Sequence, residues 1–375
     1  MSVTENAGPS WDDGRWSALP QLEREVRADV CVVGLGGSGL TAVEALVDHG
    51  LTVVGIDAGS VAGSAAGRNG GFLLAGLARF HHEMAGLLGR QRATALYRLT
   101  IAEIERIARV EAAQVRRRGS LRIAIDAEEL ADCEVQLAAL RADELPAERY
   151  DGPEGQGLLI PTDASFNPLL RCRALAASAI ARGVQLFENT PATDLGKSRV
   201  DTPHGRILAS HTIVAIDGKL DCVLPELQGR VRTARLQMLG TAPTREVEFT
   251  RPVYARYGYD YWQQTTDHRV VIGGFRDTQI DAEWTTQTSV TDAIQKLLER
   301  QLRERLHVTA PITNRWAASV GYTADGIPVL DEVRPGIWAL GGYNGTGNII
   351  GALCARAAVD LILTGRSTFA ALLKG

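Results

Sequence analysis

The 375-residue chain has few cysteines, few lysines and no long apolar run, and each shortage excludes a class of protein. Cys31, Cys133, Cys172, Cys222 and Cys354 are odd in number, widely spaced and never arranged C-x-x-C, so neither a disulfide framework nor a zinc site is expected. That usage fits a reducing compartment. Without a stretch of about 18 apolar residues, and without a basic segment leading into an apolar one, the sequence predicts neither a membrane span nor a signal peptide. A cytoplasmic protein is the expectation. Charge of one sign is also missing: 40 basic against 44 acidic residues leave a net charge of −4, which gives no electrostatic reason for binding nucleic acid or an anionic membrane. The only basic triplet, Arg116-Arg117-Arg118, reads as the cationic end of a long helix spanning 93–118. With 45% apolar and 22% charged residues and no low-complexity tract, disorder is not expected, and the length suits two or three domains.

What is present begins at Ala28. The apolar run Val30-Cys31-Val32-Val33 ends in Gly34-Leu35-Gly36-Gly37-Ser38-Gly39, a G-x-G-x-x-G pattern. Leu40, Val43, Leu46 and Val47 follow at helical spacing, His49-Gly50 closes the helix, and a second run, Val53 to Ile56, leads to Asp57. Strand, glycine turn, helix, strand and acid in this order have a common task. The turn lets a pyrophosphate approach the backbone, the helix N-terminus offers N–H groups to it, and the acid accepts hydrogen bonds from a ribose. Without a ligand the same residues would make a tight strand-to-helix turn and a solvated strand end.

Further along, residues 62–72 are rich in glycine and alanine, which suits backbone lying flat on a planar ligand and equally a mobile surface loop. Glu128 to Arg141 and Arg171 to Arg182 read as helices, and Ile213 to Asp217 as a central parallel strand. Tyr254, Tyr257, Tyr259, Tyr261 and Trp262 cluster within nine positions, as a pocket lining or as cross-strand packing. Near the C-terminus a strand over 337–340, a glycine-rich turn over 341–348 and a helix from Ile349 to Leu363 aim a second helix N-terminus at an anion.

On these elements the sequence resembles the FAD-dependent D-amino-acid oxidase superfamily, in its amine-oxidising branch of glycine, sarcosine and gamma-glutamylputrescine oxidases. The resemblance rests on Ala28-Asp29-Val30 with the Gly34–Gly39 turn, Gly67-Arg68-Asn69-Gly70-Gly71, Arg235-Leu236-Gln237-Met238, Thr323 to Pro328, and Gly342-Tyr343-Asn344-Gly345-Thr346-Gly347. It implies an α/β protein, α+β overall, in which a Rossmann-type FAD-binding domain (28–80, 155–222, 311–370) joins a substrate domain (81–154, 223–310) built on a mixed sheet and helices, after an N-terminal segment 1–27. By position, Gly34, Gly36, Gly37, Ser38, Gly39, Asp57 and Ala58 would hold the ADP half of FAD, with Ala215 at the central strand. Arg68, Asn69, Gly70 and Gly71 would lie along the isoalloxazine, and Gly345, Thr346, Gly347 and Asn348 would face its N1/O2 edge. Tyr259, Tyr261, Arg276 and Tyr343 are the catalytic and substrate-side candidates. No metal is implied.

The sequence also departs from those relatives. Trp316 to Tyr322 contains no cysteine to bond the flavin, which implies noncovalent FAD. Arg269 to Gly274 lacks the oxygen-activating lysine, so the acceptor is either oxygen, used slowly, or another carrier. Val320 stands where glycine-oxidising relatives carry a carboxylate-gripping arginine, which implies an amine without a carboxylate on its reacting carbon unless Arg68, Arg235 or Arg276 replaces that contact. The expected activity is oxidation of a C–N bond by hydride transfer to flavin N5, followed by imine hydrolysis. The alternatives are a flavin-dependent 2-hydroxy acid dehydrogenase, for which His81 and His82 are the available bases although such a pair at a helix start reads as surface, and a non-catalytic flavin-holding subunit.

Overall fold

The computed structural model describes residues 7–374, which fall into two compact units. One comprises Asp13–Gly67, Pro168–Ala234 and the chain from Val320 onward, and the other comprises the residues up to Asp12, Arg68–Asn167 and Arg235–Ser319.

The first unit is a wound α/β layer. Its sheet runs Val329–Arg334, Ile337–Gly341, Arg206–Asp217, Glu25–Val33, Val53–Ile56, Gln185–Phe187 in spatial order. All neighbours pair in parallel except the first two, which are antiparallel. The central strands read as nearly unbroken apolar runs because both faces are covered, as parallel sheets require. Cys31, Val33, Val54, Ile56, Val214 and Ala339 join one core cluster. The Gly37–Asp48 helix packs against the Pro168–Ala181 and Gly347–Thr364 helices. Among the described residues Gly347–Thr364 is the one helix long and apolar enough to cross a membrane, yet Ile349 through Ala355 are all buried in this core.

The second unit is an eight-stranded mixed sheet ordered Ile312–Tyr322, Arg232–Pro243, Arg269–Gly274, Asp260–Gln264, Val253–Ala255, Ser120–Ile123, Gly155–Ile160, Glu148–Gly152. The Val253–Ala255 and Ser120–Ile123 pair is parallel. Alternation puts Leu239, Trp262 and Ile272 on one face, against Ile294, Leu298 and Leu302 of the Asp292 helix and its continuation.

Two local readings differ from the structure. The helix expected over 93–118 ends at Ile107, and Arg116 instead pairs in extended backbone with Ser165 while its guanidinium reaches Gln263 and the Gln264 carbonyl. Bonds to distant partners there override local helical propensity. His81 is buried rather than on the surface, because its Nε2 lies 2.6 Å from Asp143 Oδ2, and that carboxylate also accepts from Thr94 and Arg90. The compact units divide the chain at 67/68, 167/168, 234/235 and 319/320, and the family resemblance implies boundaries near 80, 155, 222 and 311. The last two junctions fall inside the continuous strands Arg232–Pro243 and Ile312–Tyr322, where no turn marks them.

Candidate active site

In the wound unit the Glu25–Val33 strand stops at Gly34, whose φ is +100° and where a Cβ would lie 2.6 Å from the Ala215 carbonyl oxygen. Gly39 is equally constrained, since its Cβ would meet the Gly34 carbonyl oxygen at 1.8 Å. The turn therefore tolerates only glycine at both places, and the helix starts hard against the strand that precedes it. Gly36 sits at the N-cap in extended conformation, no side chain caps the first turn, and no acidic residue lies in it. Those N–H groups suit an anion.

Asp57 follows the second strand. Its Oδ2 accepts the Leu35 N–H at 2.7 Å and its Oδ1 the Gly59 N–H at 2.8 Å, so the half-buried acid fixes the turn, and Ala58 beside it is exposed. Burial, with a smaller contribution from the charge of Glu188, pushes its carboxyl above the usual range. Glu188 was missed by the sequence reading. It ends the neighbouring Gln185–Phe187 strand, is buried, and accepts from Trp16 Nε1 (2.9 Å), the Leu19 N–H (2.8 Å) and the Val61 N–H (2.6 Å). Its signal was there, an acid directly after an apolar strand, in the same grammar that singled out Asp57.

Asp217, at the end of the central strand, was likewise read only as a turn. In left-handed conformation, φ +54°, it accepts the Tyr343 N–H on Oδ1 at 3.0 Å and the Gly321 N–H on Oδ2 at 3.2 Å. Burial raises its carboxyl to about 6. One carboxylate thus ties three chain segments at the base of the C-terminal glycine loop. Asn344 completes that loop by accepting the Thr323 N–H at 2.9 Å. Gly345 is exposed, and Thr346, Gly347 and Asn348 are half-buried at the start of an 18-residue helix that also lacks a side-chain cap and a first-turn acid. Tyr343 is buried with its ring edge against Gly347 and Gly351, and burial drives its phenol far above the ordinary value. Ala215 is buried at the Gly34 contact.

In the mixed-sheet unit the 68–71 loop is pinned beside the Asp260–Gln264 strand. Gln263 Nε2 donates to the Gly70 and Gly71 carbonyls, Asn69 Oδ1 accepts the Gly71 N–H at 2.9 Å, and a Cβ on Gly70 would lie 3.2 Å from the Tyr261 ring. Arg68 receives the Trp316 indole N–H on its carbonyl at 2.8 Å and donates from Nη1 to the Ala317 carbonyl at 3.3 Å. Tyr261 joins Phe72 and Tyr254 in a cluster with centroids 5.1 to 6.0 Å apart, Phe72 edge-on to both tyrosines.

Tyr259 and Arg276 are brought together elsewhere in this unit. The Arg276 guanidinium lies 5.5 Å from the Tyr259 ring centre and 4.9 Å from that of Trp284. Trp262 points to the opposite face of the sheet, into the core with Phe249, and Tyr257 is exposed. The aromatic run is therefore shared among a loop-facing cluster, a cation–π stack and core packing. Arg235 is not available as a ligand: Glu283 takes it in a bidentate pair at 2.8 and 2.9 Å, with both side chains at most 5% exposed.

The chain belongs to the FAD dependent oxidoreductase (DAO) family, which it matches over residues 29–361. It is similar to the gamma-glutamylputrescine oxidoreductase of Escherichia coli (strain K12), 26% identical over 93% of this chain and 86% of the relative. Among solved structures it resembles glycine oxidase from Geobacillus kaustophilus, with a TM-score of 0.74, 19% identity, and coverage of 92% of this chain and 96% of that one. It also resembles dithionite-reduced L-alpha-glycerophosphate oxidase from Mycoplasma pneumoniae with FAD bound, with a TM-score of 0.72, 18% identity, and coverage of 90% and 95%. FAD is the cofactor of this oxidoreductase, and the residues present fit it. The open first turn after Gly36, the glycine-only contacts at Gly34 and Gly39, and the acid ending the second strand are what a dinucleotide cradle would need.

Proposed function

We propose that this enzyme oxidises the C–N bond of an amine whose reacting carbon bears no carboxylate. When bound, FAD would supply the hydride acceptor for that carbon, and the imine formed would hydrolyse to a carbonyl compound and an amine or ammonia. The observation that carries the substrate class is the commitment of Arg235 to Glu283, at a sequence where Val320 offers only a buried apolar side chain. A carboxylate needs a forked cation to leave water, and burying it unpaired costs several kcal/mol. The Arg68 guanidinium donates to the Ala317 carbonyl, and Arg276, stacked on Tyr259 and Trp284, is the candidate to meet an acidic or polar group distant from the reacting carbon. Tyr261 supplies an apolar wall beside Gly70. Tyr343, wholly buried, spaces the loop from the helix beneath it and is a positioning residue.

Within the cradle, the first turn after Gly36 would hold the pyrophosphate and Asp57 a ribose hydroxyl, and the Gly345–Asn348 helix start would offer N–H groups and positive potential to a developing negative charge. FAD is held noncovalently, since no cysteine lies in 316–322. Oxygen or a separate carrier is the electron acceptor. The similarity to gamma-glutamylputrescine oxidoreductase supports an amine over a hydroxy acid. So does the burial of His81, 3% exposed with its Nε2 2.6 Å from Asp143 Oδ2.

Anaerobic mixing of the purified protein with glycine, sarcosine, D-alanine, putrescine, an acylated putrescine and 2-hydroxy acids tests the reading. Flavin absorbance should bleach with the acylated diamine or putrescine. Preference for glycine or D-alanine would overturn the substrate class, bleaching by hydroxy acids alone the reaction, and stoichiometric flavin that nothing reduces would favour a non-catalytic subunit.

A further inference from the structure

Arg171 lies in the Pro168–Ala181 helix, is 3% exposed, and presses its guanidinium on the first turn of the Gly37–Asp48 helix. Its Nη2 donates to Thr41 Oγ1 at 3.1 Å, while that hydroxyl donates to the Gly37 carbonyl at 2.7 Å. Its Nη1 occupies the space a side chain on Gly37 would need, 3.3 Å from where a Cβ would stand. Its Nε is buried without a partner. Among the described residues no carboxylate reaches it within ion-pair distance. A guanidinium in this position is unfavourable on two counts, since burial strips its water without supplying a counter-ion and the helix N-terminus beside it carries partial positive charge of the same sign. Both penalties reverse if an anion occupies that end of the helix.

We infer that Arg171 is a positioning residue for the cofactor diphosphate, a buried counter-charge behind the first turn of the Gly37–Asp48 helix that adds to the N–H groups of the turn. Gly37 belongs to the same contact, because a Cβ there would stand 3.3 Å from Nη1, close enough that the guanidinium would have to shift by a few tenths of an ångström. The inference rests on the dinucleotide cradle described above and goes beyond it in assigning a cation outside the glycine motif. It also predicts a chemical preference: the cradle should discriminate a diphosphate from the bare nucleoside more strongly than a helix N-terminus alone.

The test uses the full chain stripped of FAD, titrated calorimetrically or by thermal shift with ADP and with adenosine. In Arg171→Met, which keeps the volume and removes the charge, ADP affinity should fall at least about tenfold while adenosine affinity stays within about twofold, and Arg171→Lys should recover part of the loss. Unchanged ADP affinity, or equal weakening of ADP and adenosine, would overturn the assignment, the latter by showing a packing role only. Should Arg171→Met not fold, Thr41→Val removes the hydroxyl that holds Nη2, and it should weaken ADP several-fold without changing adenosine; no such difference overturns the assignment equally. A wild-type protein that binds neither ligand contradicts the cradle itself and this inference with it.

Discussion

Asp57 and Leu35 are joined by a 2.7 Å hydrogen bond from the Leu35 N–H to the Asp57 carboxylate, so the acid at the end of one strand holds the glycine turn at the end of its neighbour. The residue that would grip a ribose also shapes the phosphate site. Asp57→Ala should therefore lower FAD affinity by roughly one to two powers of ten, the worth of a charge-assisted hydrogen bond of about 1.5 to 3 kcal/mol. Asp57→Asn keeps one side-chain oxygen to accept a backbone N–H and should lose less. Fluorescence titration of FAD into the apoprotein measures both, and an unaffected alanine variant would remove Asp57 from the cofactor site.

The Arg235–Glu283 pair makes a separate prediction. Removing one partner strands a buried charge, so Arg235→Met or Glu283→Leu should cost about 3 to 5 kcal/mol, and the double Arg235→Met/Glu283→Leu should cost less than the sum. Urea denaturation of the four proteins closes the cycle. Additive losses, or a folded Arg235→Met of normal stability with a large rise in amine KM, would mean that Arg235 belongs to the substrate instead.

Asp217 sets a pH dependence. Its carboxyl is raised to about 6 in the folded protein, above its ordinary value near 3.8, so the folded state binds the extra proton between those values. The stability contributed by this group is full below about pH 4 and is lost as the pH rises through about 6. Asp217→Asn cannot titrate, so its stability deficit against wild type should be largest near pH 4 and shrink by up to about 3 kcal/mol by pH 7. A deficit that grows with pH, followed by urea midpoints, would reverse the sign.

Much of the wound unit was legible because its signals are local. The Val30–Val33 run, the glycine turn and Asp57 stand within thirty residues, and the structure builds from them the strand, helix and strand expected. The Gly341–Asn348 turn was legible for the same reason. What escaped was long-range pairing of polar groups. Glu283 meets Arg235 across 48 positions, and Arg116 leaves its expected helix for Gln264, 148 positions away. Composition and periodicity carry no information about such partners. The aromatic cluster shows the same limit, because Tyr261 and Trp262 are adjacent in sequence but face opposite sides of one strand, and only the sheet register separates them.

Reaction with oxygen should be slow. The chain's four lysines are Lys197, Lys219, Lys296 and Lys374; Lys197 lies in a turn, Lys219 precedes a short helix, Lys296 and Lys374 lie in helices, and none is on a strand. Without such a cation the negative charge that develops during oxygen reduction is poorly stabilised. Rapid mixing of the dithionite-reduced protein with aerated buffer measures the rate. Reoxidation complete within milliseconds would show that another group supplies that charge.

The central claim is that this chain uses FAD to break a C–N bond, and a single anaerobic turnover with an acylated putrescine tests it most directly. Flavin bleaching, carbonyl product and released amine or ammonia are measured in the same sample. The account predicts one carbonyl and one amine or ammonia for each FAD reduced, with acid precipitation of the spent protein releasing intact FAD into solution. Oxidation of a hydroxyl substrate with no nitrogen released, while every amine leaves the flavin yellow, would contradict it.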